Sequence, residues 1–373
     1  MSNARKINFG AGPSMISLKV LTELQNDLLN YGQTGIGILE LSHRSEEFRQ
    51  ILQKIKDDVR DLLNIPENYH VLFLSAGGTG QTAGIALNLM QLKPNKCADY
   101  FVTGKWSEKA AKEASKFGTV HKVLPKMESY CSIPSSESWN LNEDASYVYY
   151  CDNETIDGVE FKEVPDTNGV PIVCDMSSNI MSRPVDISKF GVIYAGAQKN
   201  LGCAGVTLVI VRDDLTNVAS PLCPAVIEYK AMVNNNSCLN TPPVFSIYVL
   251  GAVLKNLKEE GGLAVTYQRC KIKSEALYKV IDESNGFYVC PVDKSVRSRT
   301  NIIFKFGSDN RRSEMEKKFL KEAAERNLVG LSGHRSIGGF RASLYNAVTI
   351  EDVEKLICFM QDFASKNHFE KED

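Results

Sequence analysis

A glycine-rich segment at residues 75–83 could hold an anion. Its sequence, Ser-Ala-Gly-Gly-Thr-Gly-Gln-Thr-Ala, follows the apolar run Val71–Ser75 and precedes an apolar helical pattern. Glycines let the backbone approach an anion closely, and a helix N-terminus offers free N–H groups with a partial positive charge. The segment formally matches a dinucleotide fingerprint, but Asp99 precedes the next strand instead of ending it, as the fingerprint requires. We interpret the segment as a cup for one phosphate group, with a plain glycine-rich turn as the alternative.

A carboxylate and a lysine follow two later apolar runs. Asp175 ends the run Ile172–Asp175, and Lys199 follows the run Val192–Gly196 within the sequence Ala-Gly-Ala-Gln-Lys-Asn. Burial among small apolar residues lowers the pKa of a lysine and makes its amine a nucleophile for a Schiff base. Alone, Asp175 could equally cap the next helix. Together with the phosphate cup, the two residues indicate pyridoxal phosphate, which needs a lysine and an acid at its pyridinium nitrogen.

Two groups of basic residues lie in predicted loops. His43 and Arg44 lie between two helical patterns, and His334, Arg335 and Arg341 lie in a segment rich in glycine. Arginine binds carboxylate and phosphate groups through two parallel hydrogen bonds. Each residue alone could be an ordinary surface residue. Two groups in a chain of net charge −2 indicate a small substrate with more than one acidic group.

The elements that must position these residues alternate along the first two thirds of the chain. Residues 45–63 carry apolar side chains with a helical period. Six apolar runs predict strands: Val71–Ser75, Tyr100–Thr103, Val148–Cys151, Ile172–Asp175, Val192–Gly196 and Thr207–Val211. Helical or long segments separate most of them, which is typical of βαβ units and predicts an α/β fold with a mainly parallel sheet. Because open α/β sheets bind ligands at the carboxyl ends of their strands, we expect the three segments above to meet there.

The remainder of the chain has a different pattern. Residues 212–245 are irregular and rich in proline, which predicts a long loop. A helical pattern follows from about 265 to 281, then short strands near 287–290 and 300–306 and a helix near 313–327. A last helix begins with the cap pattern of Thr349 and Asp352. We predict a smaller α+β domain here.

Composition excludes several functions. The 373 residues have 43 Lys and Arg against 45 Asp and Glu, which argues against nucleic acid or a membrane surface as partner. No C-x-x-C pair, H-E-x-x-H motif or G-x-S-x-G motif occurs in the sequence, so we expect no metal, no disulfide framework and no serine hydrolase. No apolar run is long enough to span a membrane, and no secretory signal is recognisable, so we expect a cytoplasmic protein.

Ordered blocks over nearly the whole chain resemble the phosphoserine aminotransferases, which are class V members of the fold-type I pyridoxal-phosphate enzymes. The blocks are Asn8–Pro13, Ser42–Ser45, Gly77–Gln81, Gly104–Ser107, Asn153–Thr155, Cys174–Ser178, Gly196–Asn200, Asn240–Pro243, Gly333–Arg335 and Arg341–Ser343. The resemblance implies a large domain at 16–268, with a mainly parallel, seven-stranded sheet flanked by helices. It implies a small α+β domain formed by 1–15 and 269–373.

The resemblance also implies catalytic roles. Lys199 would bind pyridoxal phosphate as a Schiff base and later move a proton between the substrate Cα and the cofactor. Asp175 would pair with the pyridinium nitrogen. Trp106 would stack on the ring, and Thr155 would hydrogen-bond the ring hydroxyl.

The cofactor phosphate would have its own binding residues. Gly78, Thr79 and Gln198 would hold it within one subunit. In the family, the equivalents of Asn240 and Thr241 reach it from the neighbouring subunit, so the resemblance implies a homodimer whose active sites each use both chains.

The substrates would be bound by the basic residues. His43, Arg44, His334, Arg335 and Arg341 would hold their phosphate and carboxylate groups, with Arg341 on the α-carboxylate. The family converts L-glutamate and 3-phosphohydroxypyruvate into 2-oxoglutarate and O-phospho-L-serine in L-serine biosynthesis. Three alternatives stay open: a class V aminotransferase of the alanine- or serine-glyoxylate type, a desulfurase, for which Cys238 has no supporting pattern, and a catalytically silent homologue.

Overall fold

The computed structural model describes residues 5–307 and 312–367. Within these ranges the strands are β1 (Ile7–Asn8), β2 (Tyr69–Leu74), β3 (Cys97–Tyr100), β4 (Thr119–Lys122), β5 (Val148–Cys151), β6 (Ile172–Asp175), β7 (Val192–Gly196), β8 (Thr207–Arg212), β9 (Tyr288–Val289), β10 (Asn301–Phe306), β11 (Leu328–Val329) and β12 (Phe340–Ser343). The α-helices are α1 (Leu18–Asp27), α2 (Glu46–Leu63), α3 (Gly77–Leu89), α4 (Lys105–Ala114), α5 (Tyr229–Asn234), α6 (Val244–Glu259), α7 (Gly262–Asp282), α8 (Arg312–Glu325) and α9 (Ile350–Lys366).

A seven-stranded sheet forms the centre of the fold, in the order β2-β8-β7-β6-β5-β3-β4. Strand β8 pairs antiparallel with both β2 and β7, and the remaining pairs are parallel. Six strands therefore point the same way, and their carboxyl ends form one edge. The predicted α/β class and the mainly parallel sheet are confirmed.

The third strand lies closer to the N-terminus than predicted. It spans Cys97–Tyr100 instead of Tyr100–Thr103. The prediction was wrong because Asp99 interrupts the apolar pattern. In the structure this carboxylate is fully buried, accepts a hydrogen bond from the Asn142 N–H (2.7 Å) and pairs with His121 (2.9 Å). Strand β4 was not predicted, because its edge position leaves its side chains partly exposed.

Helix α2 shows how the sequence predicts a helix correctly. The side chain of Ser45 accepts a hydrogen bond from the Phe48 N–H at 3.2 Å, and Asn64 ends the helix in a left-handed conformation. One face of α2, including Ile51 and Ile55, is buried in the core beside the sheet. This is the apolar stripe seen in the sequence at 45–63.

The segment at 212–245 is more regular than predicted. It contains α5, and α6 begins at Val244. Tyr229 starts α5 because its N–H donates to Asn88 on α3 (2.9 Å) and its hydroxyl donates to Gln81 (3.1 Å). These contacts are tertiary and leave no periodic signal in the sequence.

A second core lies around a small antiparallel sheet, in the order β12-β10-β9, with α8 and α9. Phe304, Phe319 and Phe340 are fully buried in it. The N-terminal Ile7 and Phe9 belong to the same core, since β1 pairs with β11. These contacts support the division into 16–268 and 1–15 with 269–373, which we retain as a proposal.

None of the helices within residues 5–307 and 312–367 is both long and apolar enough to cross a bilayer.

Candidate active site

A cavity of about 320 Å³ opens at the carboxyl edge of the central sheet. Its lining combines the N-termini of α3 and α4 with the residues that follow β6 and β7. Six residues singled out from the sequence line it: Gly78, Thr79, Trp106, Asp175, Gln198 and Lys199. The expectation that the strand-end segments meet at one edge is confirmed.

Lys199 is one of the residues that line this cavity. Its Nζ donates a hydrogen bond to the Thr155 hydroxyl at 2.6 Å and lies 5.7 Å from the centre of the Trp106 ring. Burial lowers the pKa of the amine, while the negative charges of Asp175 and Glu154 partly oppose that shift. A lysine of lowered pKa is more often uncharged near neutral pH, which a nucleophilic amine requires.

Asp175 is held rigidly at the end of β6. One of its carboxylate oxygens accepts a hydrogen bond from the Ser177 N–H at 2.8 Å. The Ser177 hydroxyl in turn accepts from the Gly196 N–H at 3.0 Å, which ties the ends of β6 and β7 together. Residues 177–181 form a turn rather than a helix, so the helix-cap alternative is wrong. The side chain instead faces the cavity with Lys199.

The glycine-rich segment forms the N-terminus of α3, as an anion cup requires. Ala76 and Gly77 have positive φ (74° and 64°), and this sharp turn aims the helix at the cavity. The Gly80 N–H donates to the Ala76 carbonyl, so the N–H groups of Gly78 and Thr79 precede the first helical hydrogen bonds. Free N–H groups and the helix dipole together favour a phosphate group.

Trp106 forms one wall of the cavity from the first turn of α4. Glu154 accepts hydrogen bonds from the N–H groups of Trp106 (3.0 Å) and Ser107 (2.8 Å). The indole Nε1 is buried and finds no hydrogen-bond partner among the described residues. Lys109 also lines the cavity, with its Nζ 4.5 Å from the centre of the Trp106 ring.

Arg341 lies beside Thr155, and its charge acts on the nearby His334. Arg341 donates from Nη1 to the Thr155 carbonyl at 3.3 Å, and burial lowers the pKa of its guanidinium. Within the described part of the chain its Nε has no partner and no carboxylate lies within ion-pair distance. Burial lowers the pKa of His334, and the charges of Arg341, Lys109 and Arg335 lower it further.

Four predicted residues lie elsewhere. His43 and Arg44 precede α2, and Asn240 and Thr241 are exposed before α6. None of the four lines the cavity in the described ranges of this single chain, and the lining also does not include Thr155, His334, Arg335 or Arg341. The expectation that Asn240 and Thr241 reach a neighbouring subunit stays a prediction.

Comparison with known proteins identifies the family. The sequence profile of the family described as Aminotransferase class-V matches residues 7–356. The phosphoserine aminotransferase of Drosophila melanogaster is 51% identical over 362 residues, which is 97% of this chain and 99% of the relative. The chain belongs to the class V aminotransferases. A second relative, the phosphoserine aminotransferase of Hahella chejuensis, is 48% identical over 97% of this chain and 99% of its own length. The resemblance stated from the motifs is confirmed.

Solved structures of class V relatives have the same fold. A phosphoserine aminotransferase from Bacillus circulans superimposes with a TM-score of 0.93 at 42% identity, over 97% of this chain and 99% of that one. The pyridoxal-phosphate-bound phosphoserine aminotransferase from Trichomonas vaginalis gives 0.91 at 38% identity, over 96% and 100%. An alanine–glyoxylate aminotransferase from Nostoc, at 17% identity and a TM-score of 0.76, shares the fold alone.

Two residues at this class V site were not singled out from the sequence. Lys109 lines the cavity, and Glu154 was named only within the block Asn153–Thr155. Asp157 was noted from the sequence only as standing where the resembling family usually has His. Asp157 accepts a hydrogen bond from the Lys105 N–H at 2.7 Å.

Proposed function

We propose that the chain exchanges an amino group between L-glutamate and 3-phosphohydroxypyruvate, giving 2-oxoglutarate and O-phospho-L-serine, with pyridoxal phosphate as cofactor. The reaction would serve L-serine biosynthesis. One observation carries the proposal: Lys199, with its lowered pKa, shares a cavity with Asp175 and the N-terminus of α3, near Arg341, which has no carboxylate partner among residues 5–307 and 312–367.

The groups present fit pyridoxal phosphate. The cofactor requires an amine, a carboxylate, an anion site and an apolar surface, and the cavity offers Lys199, Asp175, the α3 N-terminus and the Trp106 indole. Gly78, Thr79 and Gln198 would hold the phosphate. When bound, the cofactor supplies a ring that withdraws electrons from the substrate Cα.

The residues of the chain would then position groups and move protons. Lys199 would take a proton from the substrate Cα and return one, while the Thr155 hydroxyl holds its amine in place. The Asp175 carboxylate would keep a proton on the pyridine nitrogen. The Trp106 indole would exclude water and orient the ring through apolar contact.

Substrate choice would depend on the basic residues. Arg341 would bind the α-carboxylate shared by both amino acids, and His334 and Arg335 would bind the γ-carboxylate of glutamate or the phosphate of O-phospho-L-serine. A neutral side chain would leave these charges unpaired, so the site would reject alanine. This argument favours the phosphoserine reaction over the alanine-glyoxylate type.

A homodimer is part of the proposal. The two segments that carry His43 and Asn240 also expose large apolar side chains: Leu29 (84% exposed), Leu39 (63%) and Leu222 (83%). A second copy of the chain would cover these residues and bring His43, Arg44, Asn240 and Thr241 to the cavity.

A cytoplasmic location is also proposed. All ten cysteines lie in the described ranges and are unpaired, which suits a reducing compartment.

The test is a pair of half-reactions on the purified protein loaded with pyridoxal phosphate. Glutamate should convert the absorbance band of the bound cofactor to that of its amine form, and 3-phosphohydroxypyruvate should restore the first band. Pyruvate and glyoxylate serve as control acceptors. Restoration by a control acceptor alone would assign a different substrate, and no cofactor band would refute the role of Lys199 and favour a silent homologue.

A further inference from the structure

The N-terminus of α4 is bound by two carboxylates from a distant loop. Its cap residue, Gly104, has no side chain to accept a hydrogen bond. Instead, the Lys105 N–H donates to Asp157 (2.7 Å), and the N–H groups of Trp106 and Ser107 donate to Glu154 (3.0 and 2.8 Å). The loop thus binds the first three N–H groups of the helix, which have no acceptor inside a helix.

Both carboxylates are buried and tightly packed. Glu154 is 0% exposed and Asp157 is 6% exposed. A Cβ atom built on Gly104 would lie 2.4 Å from the Glu154 carboxyl carbon, so only glycine permits this approach. The Ser107 hydroxyl also donates to Glu154, at 2.6 Å. Hydrogen bonds from a helix N-terminus and its dipole offset part of the cost of burying these charges.

The same loop contacts the catalytic groups. Thr155, between the two acids, accepts a hydrogen bond from Lys199 through its hydroxyl and from Arg341 through its carbonyl. The loop is closed on itself, since the Glu154 N–H donates to the Val159 carbonyl and the Gly158 N–H donates to the Glu154 carbonyl, each at 2.8 Å. A shift of α4 relative to this loop would therefore move Trp106 relative to Lys199.

We propose that Glu154 and Asp157, the carboxylate pair, are positioning residues. They hold the Trp106 indole at the cavity wall in a fixed position relative to Lys199. The proposal rests on the proposed function, because the indole matters as the surface against which the cofactor ring lies. It adds two residues that do not line the cavity and act through the backbone of α4.

Fluorescence can test this, because the chain has only two tryptophans. The substitution Trp139→Phe leaves Trp106 as the sole reporter and keeps an aromatic ring against Phe101, whose ring centre lies 4.8 Å from that of Trp139. In this background, emission of the cofactor-free protein reports the burial of Trp106. Quenching during a pyridoxal phosphate titration reports the affinity for the cofactor.

The substitutions at Asp157 differ in one hydrogen bond. Asp157→Ala removes the acceptor of the Lys105 N–H, so we expect red-shifted Trp106 emission and about tenfold weaker cofactor binding, the effect of one charge-assisted hydrogen bond. Asp157→Asn keeps an oxygen that can accept this bond and should restore both readouts. The control is Glu108→Gln, which removes a carboxylate from the same helix turn, 3.0 Å from the Lys105 Nζ, without touching the backbone donors.

Glu154→Gln provides a second test, since the amide keeps one of the two accepting oxygens. We expect an intermediate shift in Trp106 emission and a lower rate in the glutamate half-reaction at unchanged KM for glutamate, because Arg341 is retained. If Glu154→Gln does not fold, the comparison of Asp157→Ala with Asp157→Asn tests the proposal by itself.

The proposal is overturned if Asp157→Ala keeps the emission and cofactor affinity of the parent while its thermal midpoint falls, since the acids would then only stabilise the fold. It is equally overturned if the Ala and Asn variants behave alike. If the parent protein binds no pyridoxal phosphate, the proposed function fails, and the emission of the cofactor-free variants still tests whether the pair holds Trp106.

Discussion

Replacing Arg341 with methionine should remove most of the activity and leave the fold at least as stable. The guanidinium makes one hydrogen bond, from Nη1 to the Thr155 carbonyl (3.3 Å), and its Nε has no partner among the described residues. The Arg341 side chain is half-buried, and a cation withdrawn from water without a counter-ion destabilises a folded protein. Methionine fills much of the same space without a charge, so the variant should unfold at an equal or higher temperature.

The loss of activity follows from the bonds that Arg341 would make to an α-carboxylate. A bidentate pair comprises two charge-assisted hydrogen bonds of about 1.5–3 kcal/mol each, so the substitution should remove about 3–6 kcal/mol of binding free energy. That free energy corresponds to a fall in kcat/KM of roughly 10²- to 10⁴-fold. The fall should be similar for L-glutamate and O-phospho-L-serine, because both carry the α-carboxylate.

The assay measures both half-reactions by rapid-mixing absorbance and stability by thermal and urea unfolding. Arg299→Met is the matched control. Arg299 donates to the buried Glu160 from Nη2 (2.7 Å) and Nε (3.2 Å). Unlike Arg341, it therefore has a carboxylate partner among the described residues, and its own side chain is only 18% exposed. Breaking such a pair costs about 3–5 kcal/mol, so the control should lose stability where Arg341→Met does not.

Two outcomes would refute the reasoning on Arg341. One is a loss of several kcal/mol of stability in Arg341→Met, comparable with the control, which would make Arg341 a structural residue. The other is a loss of activity toward only one of the two amino acids, which would assign Arg341 to the side-chain group instead of the α-carboxylate.

Three further predictions concern other parts of the site. Lys199→Ala should abolish turnover and the absorbance of the bound cofactor while the circular dichroism of the fold is kept, and any retained turnover would exclude Lys199 as the nucleophile. Arg335→Ala should lower kcat/KM for O-phospho-L-serine, with a loss of transition-state binding free energy of about 1.5–3 kcal/mol and little change in cofactor affinity. Equal losses of kcat/KM and cofactor affinity would indicate a folding defect. Burial and the charge of Asp157 raise the pKa of Glu154 from 4.5 to about 7. The folded protein therefore keeps a proton that the unfolded chain releases, and the stability that this group contributes is lost as pH rises from about 4.5 to 7, by up to about 3 kcal/mol. Urea unfolding at about pH 5 and about pH 8 should show a larger loss in the parent than in Glu154→Gln, in which Asp157, whose pKa burial raises to about 6, still titrates; the same stability difference between the two proteins at both pH values would contradict it.

Much of the site was predictable because it depends on local sequence. Lys199, Asp175 and the segment around Gly78 each follow an apolar run, and parallel topology brings the carboxyl ends of such runs to one edge. Burial of Lys199 followed from its small apolar neighbours. The types of these residues alone indicated pyridoxal phosphate chemistry before any contact was known.

Other features depend on contacts between distant parts of the chain. Glu154 and Asp157 bind backbone groups 47 to 52 residues away. Every residue other than proline has a backbone N–H, so the sequence does not indicate which of these groups a side chain will bind. The buried Asp99 concealed the start of β3 for the same reason, since its partners His121 and Asn142 lie on other segments.

The sequence by itself determined the chemistry of the site, through the residue types that follow each strand, and the family to which the chain belongs. Only the tertiary structure decided which charges are paired. Arg299 and Arg341 are both arginines in the C-terminal part of the chain, yet one binds the buried Glu160 and the other has no carboxylate partner in the described ranges. The difference arises because an arginine forms an ion pair only with a carboxylate that lies within about 4 Å of it. Which carboxylate lies there depends on the packing of segments that are distant in the sequence.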